Sequence, residues 1–231
     1  MKSLNSFIVL LFCFISTFAQ VESAGKAMYV MKGISLENHI DFDSIPKTNL
    51  YGVATAENLQ GEITIFNGKI LHSSIENDEI KTQILAITKS PFAAYTKVDQ
   101  WISTEVDVNI SSLSEFEKVI ATTAENLNLD LNTAFAFKVE AEISDLKFHI
   151  IQKDLTQKSH SHQTHKDSKH IFERQNQNSV LLGFYSQNHQ GVFTHKGSFI
   201  HVHYIDKNQE ETGHLDDIEQ KGKIKIYFQK L

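Results

Sequence analysis

The chain has 231 residues and 41% hydrophobic content, which suits one large domain or two small ones with a core that needs no covalent staples. Its 22 Lys+Arg against 28 Asp+Glu give a formal net charge of −6, which argues against nucleic acid or an anionic membrane surface as partner. The single cysteine, Cys13, excludes a disulfide within the chain and leaves any metal site to histidines and carboxylates.

The start reads "MKSLNSFIVLLFCFISTFAQ": Lys2, an apolar run from Phe7 to Phe18, then Thr17-Phe18-Ala19 with small residues where a signal peptidase inspects the chain. The run is short for a bilayer span and no second one follows, so residues 1–19 are expected to be a cleaved signal and the protein to be exported, to a periplasm or outside the cell. Residues 20–231 then form the working domain, with about 20–130 and 131–231 as its two candidate subdomains.

Residues 20–48 show no clear period. In "GEITIFNGKILH", residues 61–72, β-rich runs flank Asn67-Gly68, the pair that favours a tight antiparallel hairpin. "QILAIT", 83–88, reads as a short buried strand ended by Ser90-Pro91. "SLSEFEKVIATTAENLNL", 112–129, places Leu113, Phe116, Ile120 and Leu127 at helical spacing behind Ser112-x-x-Glu115, the pattern of a capping box. "TAFAFKVEAEI" (133–143), "LKFHII" (146–151), "VLLGFY" (180–185), "SFIHVHYI" (198–205) and "KIKIYF" (223–228) are strand-like. The expected fold is α+β, with strand-dominated mixed sheets and a few flanking helices.

Two histidine groups stand out. "SHSHQTHKDSKH", 159–170, holds His160, His162, His165 and His170 and reads as a solvated polar loop leading into a short helix, able to bind metal only loosely. "SFIHVHYIDKNQEETGHLDD", 198–217, holds His201 and His203, then His214 after ten residues. On a strand, positions i and i+2 share a face with roughly 6.5–7 Å between them, so His201 and His203 point together while Ile200, Val202 and Tyr204 face the core. Gly213 is expected to allow a tight turn that returns His214 on a neighbouring strand. Three neutral imidazoles with an open position are the donor set of a catalytic zinc site; the same spacing also arises by accident on half-exposed strands. The one arginine, Arg174, is the one candidate for any bidentate guanidinium contact.

Segments across residues 45 to 226 resemble, in order, the bacterial α-acetolactate decarboxylases. "GSFIHVHYIDKNQEETGHLDDIE" is similar to that family's zinc-binding Gly-x-His-x-His strand, acidic loop and Gly-His pair. "SVLLGFYSQNHQGVFTHKGSFIHVH" resembles the approach to it, "LYGVATAENLQGEITIFNGKI" the family's "G-T-x-x-x-L-D-G-E", "SPFAAYT" its "P-F-A-x-V-T", and "NTAFAFKVEAEISDLKFH" its central strand pair.

The resemblance implies a zinc ion held by His201, His203 and His214, and a small oxo-acid substrate: 2-acetolactate, decarboxylated to acetoin and carbon dioxide as zinc stabilises the enediolate. It implies Glu62 as an active-site carboxylate, although alone Glu62 reads as an exposed hairpin residue. His149 falls where the family has an active-site arginine, and could replace it only if charged; on an apolar strand it reads equally as a core histidine. None of Glu210, Glu211 and Glu219 matches the family's second, C-terminal glutamate. These departures leave two other readings open: a non-catalytic zinc-binding relative, or a zinc lyase or hydrolase acting on another small oxo-acid. A homodimer is compatible with the family reading.

Overall fold

The structure, a computed structural model, describes residues 20–231 apart from Ile87 and Lys158; the expected signal at residues 1–19 lies outside the described residues. Strand β1 (Glu22–Ala24), helix α1 (Ala27–Met31) and strand β2 (Ile40–Asp41) lead into β3 (Leu50–Thr55), β4 (Glu62–Phe66), β5 (Lys69–Glu76), β6 (Glu79–Leu85), β7 (Lys89–Ser90) and β8 (Ala93–Lys97). Then come β9 (Trp101–Ile110), α2 (Leu113–Asn126), β10 (Phe135–Ile151), α3 (His162–Asp167), β11 (Lys169–Tyr185), β12 (Ile200–Asp206) and β13 (Thr212–Gln229). One sheet is ordered β1-β8-β3-β4-β5-β6; the other is β10-β11-β12-β13-β9, with β10 also pairing to β13, so four of its strands close on themselves. The expected strand-dominated fold with few helices is what the chain adopts.

The Asn67-Gly68 hairpin forms between β4 and β5, with both turn residues at positive φ (49° and 81°) as a two-residue turn of this twist requires. Helix α2 begins where its cap is expected. Ser112 accepts a hydrogen bond from the Glu115 N–H, but the Glu115 carboxylate reaches one residue further back and takes the Ser111 N–H at 2.8 Å. Its buried Phe116 and Ile120 pack with Phe137, Phe148, Tyr204 and Phe228 of the second sheet. A separate cluster joins Val53 and Leu71 of the first sheet, and Phe92 just before β8, to Leu182, Phe184 and Ile205 of the second. On the same side β4 packs against β13 and reaches His203 of β12 through Thr64.

Four expectations change. Residues 83–88 are not a buried strand: β6 is the edge of its sheet, ends at Leu85, and leaves Ile84 66% exposed. Runs 133–143 and 146–151 belong to the single 17-residue β10, which carries a register shift against β13 between Glu140 and Asp145. The run 180–185 is the buried end of the 17-residue β11, whose first half is polar and largely exposed. Gly213 does not turn the chain. It sits inside β13, where an added Cβ would lie 2.5 Å from the Phe148 ring and 2.9 Å from the His149 carbonyl oxygen, so glycine is needed there for close approach; the turn lies at 207–211, where Gln209 has φ 62°.

Candidate metal centre

Strand register builds the site. His203 on β12 stands opposite His214 on β13, and His214 stands opposite His149 on β10, so three histidines form a row across three adjacent strands. His201, two residues before His203, shares its face, while Ile200, Val202 and Tyr204 point into the core. The ligand-capable atoms of His201, His203 and His214 all lie within 4.8 Å of one another, and all three residues are buried.

The outer partners of these rings determine which nitrogens face inward. His201 Nδ1 donates to the Phe193 carbonyl at 2.8 Å, leaving Nε2 bare and 3.0 Å from His214 Nδ1. His203 Nδ1 bonds the Thr64 hydroxyl at 2.9 Å, while its Nε2 is fully buried with no hydrogen-bond partner among the described residues. Leaving such an atom unpaired costs about 1–3 kcal/mol, a cost that a bound cation removes. Two nitrogens on a tetrahedral zinc are about 3.3 Å apart, given Zn–N of about 2.0–2.1 Å; the 3.0 Å between His201 and His214 is close to that. Burial also keeps the imidazoles neutral, their metal-binding form. It pushes His201 down to about 3 and His203 and His214 well below the usual histidine range, with neighbouring imidazoles adding to the effect. The donor set therefore fits a zinc ion.

Glu62 and His149 join this cluster. Glu62 is 2% exposed, not a solvated hairpin carboxylate. Its Oε2 lies 3.9 Å from His203 Nε2 and its Oε1 3.9 Å from His149 Nε2, with the Ile151 N–H donating to Oε1 at 3.4 Å. Burial raises its carboxyl to about 8. His149 Nδ1 donates to Asp216 at 2.7 Å, and Lys169 lies 3.5 Å from the other oxygen of Asp216. Burial lowers the His149 pKa against the pull of Asp216, which favours the neutral ring over the charged one a guanidinium substitute would require.

Several residues here were not singled out from sequence. His195 Nε2 lies 3.1 Å from His214 Nε2, so with His214 Nδ1 facing the ion, His195 can accept the Nε2–H and fix that tautomer. Thr64 does the corresponding work for His203. His165, expected in a solvated loop, is buried and lines the cavity, whereas His162 in the same tract is exposed. The cavity is about 40 Å³, roofed by Ala27, Val30 and Met31 of α1, and walled by Thr55, Glu62, Phe92, His149, Ile151, His165, Lys169, His195, His201 and His214. The Thr55 hydroxyl is buried without a hydrogen-bond partner among the described residues. Arg174 is not in this wall: it forms a two-pronged pair with Glu211 at 3.0 and 2.5 Å and lines a separate groove with Glu219.

Comparison with known proteins points the same way. A family model described as alpha-acetolactate decarboxylase matches residues 24–231. An alpha-acetolactate decarboxylase of Methanosarcina mazei is 26% identical over 181 residues, spanning 74% of this chain and 57% of that protein. The Bacillus subtilis one is 21% identical over 200 residues, 86% of this chain and 74% of that protein. The crystal structure of the Bacillus subtilis 168 decarboxylase superimposes with a TM-score of 0.74 at 20% identity, covering 92% of this chain and 86% of that one. A Staphylococcus aureus protein of unknown function, described as similar to alpha-acetolactate decarboxylase, gives 0.71 at 17% identity over 91% and 85%. The chain thus spans little more than half of the Methanosarcina mazei relative. With a family match running over nearly all the described residues, the chain belongs to the alpha-acetolactate decarboxylase family.

Proposed function

We propose that the protein is a zinc-dependent carboxy-lyase that converts 2-acetolactate to acetoin and carbon dioxide, acting after export. The observation that carries this reading is the buried Nε2 of His203, without a hydrogen-bond partner among the described residues, within a triple-histidine cluster beside the buried Glu62 carboxyl. His201 and His203 through Nε2 and His214 through Nδ1 would hold the zinc. When bound, zinc would act as a Lewis acid, stabilising the negative charge that carbon dioxide leaves behind on the substrate.

The remaining steps belong to the side chains. Glu62, buried beside the cluster, donates a proton to the carbon that has lost carbon dioxide, completing acetoin, and is reprotonated from solvent. His149, its tautomer fixed by Asp216, keeps a bare Nε2 on the Glu62 side, 3.9 Å from Oε1, while the Ile151 N–H holds that oxygen. The 40 Å³ cavity holds a few water-sized groups, and its roof, α1, is held by Ala27 N–H to the Val192 carbonyl and Met28 N–H to the Gly191 carbonyl.

Purified protein assayed for metal content and for acetoin from racemic acetolactate tests the reading. Stoichiometric zinc and acetoin formation, both lost in His203→Ala, are expected. One observation favours a second reading: Arg174 is committed to Glu211 outside the cavity, so no guanidinium serves the site among the described residues. Stoichiometric zinc without acetoin would leave a non-catalytic zinc-binding relative, or a zinc lyase or hydrolase for another small oxo-acid.

A further inference from the structure

The wall of the cavity beside the candidate zinc position is built mainly of histidines, with the buried Glu62 among them. Among the described residues lining the cavity, Lys169 is the one lysine or arginine. It opens β11 directly opposite Ile151 of β10, the residue whose N–H holds Glu62. Its side chain is 23% exposed, within reach of solvent and of the cavity together.

The wiring of Lys169 leaves it capacity. Its contact to Asp216 is 3.5 Å long, while the other oxygen of Asp216 is satisfied at 2.7 Å by His149. An ammonium has three donors, and one long ion pair occupies one of them. An oxo-acid must bring a carboxylate into this cavity, and a carboxylate taken from water into a buried site needs a charged, hydrogen-bonding partner. The Thr55 hydroxyl, without a hydrogen-bond partner among the described residues, lies in the same wall.

We propose that the Lys169 ammonium receives the substrate carboxylate, making Lys169 the residue that selects small 2-hydroxy and 2-oxo acids over their neutral counterparts. The inference rests on the oxo-acid reading of the site, but not on acetolactate being the acid. Because the carboxylate is present in the bound substrate and leaves as neutral carbon dioxide, the contact belongs to substrate binding. Its loss therefore falls on KM more than on kcat.

The test uses the full-length, zinc-loaded protein with Lys169→Met and Lys169→Arg, titrated calorimetrically with 2-hydroxyisobutyrate and with its neutral amide. Zinc content is measured on every sample. A charge-assisted contact of this kind predicts that Lys169→Met binds the acid about 10- to 100-fold more weakly with the amide unaffected, that Lys169→Arg keeps most of the acid affinity, and that KM for acetolactate rises in parallel. Unchanged acid binding in Lys169→Met would overturn the proposal, and so would equal loss of acid and amide, the mark of a structural role. If wild-type protein makes no acetoin yet the acid-over-amide preference disappears in Lys169→Met, the acetolactate reading falls while the role of Lys169 stands.

Discussion

The protein carries two histidine-rich regions of opposite character. On β12 and β13, His201, His203 and His214 are fixed by ladder register, buried, and each tied by its outer nitrogen to a specific partner: Phe193 O, Thr64 and His195. In the 159–170 tract four histidines lie within twelve residues, yet His162 is exposed, His160 is half-buried, and only His165 is drawn into the cavity wall. Histidine density does not make a metal site. What makes one is a backbone that aims the rings at one point and partners that hold the other nitrogen of each ring.

Mutations can break that contrast. The largest effect should come from His203→Ala, which removes a donor and the seat of the unpaired nitrogen: metal analysis should show loss of stoichiometric zinc, and acetoin formation should vanish. Gly213→Ala comes next. The added Cβ meets Phe148 and the His149 carbonyl, so overpacking should destabilise the protein by about 1–3 kcal/mol, read by denaturant unfolding, and disturb the His149–His214 pairing. His195→Ala should weaken zinc by about 10–100-fold, as loss of an outer partner to a ligand does, measurable by competition with a chelator. Smallest of all, His162→Ala should leave zinc content unchanged and stability within about 0.5 kcal/mol.

Acid offers a graded version of the same test. Burial lowers the pKa values of His149, His195, His201, His203 and His214 from 6.5, to about 4 for His195 and about 3 for His201. Below pH 6.5 the unfolded chain binds protons that the folded one refuses, so unfolding is favoured. The contribution of these rings is fully present above pH 6.5 and is lost as pH falls from 6.5 towards about 3, where His201 protonates in the folded protein. Metal-free protein should therefore lose stability steeply over that window, and His203→Ala, with one such ring fewer, less steeply. An identical slope in the two proteins would show that the cluster does not control acid stability.

Much of this was legible in the sequence because it is local. Asn67-Gly68 set a hairpin, Ser112 capped a helix, and the alternation at 200–204 put His201 and His203 on one face, each decided within a few residues. What escaped depends on distant chain. Thr64, Asp216 and Lys169 become site residues only through the packing of β4 on β12 and the pairings of β10 with β11 and β13. His195 sits in a loop whose composition carries no period to betray it. Gly213 was misjudged because a glycine spared for close approach and one spared for a turn look alike until the neighbouring Phe148 is in view. Glu62 read alone looks like a solvated hairpin residue, and it was the resemblance of its segment that placed it in the site; the fold buries it beside Ile151, His149 and His203.

The central claim is that the ladder histidines, and not the loop histidines, hold the metal. Diffraction from crystals of the purified protein at the zinc absorption edge tests it directly. The account predicts one anomalous peak per chain at about 2.0–2.1 Å from His201 Nε2, His203 Nε2 and His214 Nδ1. No peak there, or a peak confined to His160, His162 and His165, would contradict it.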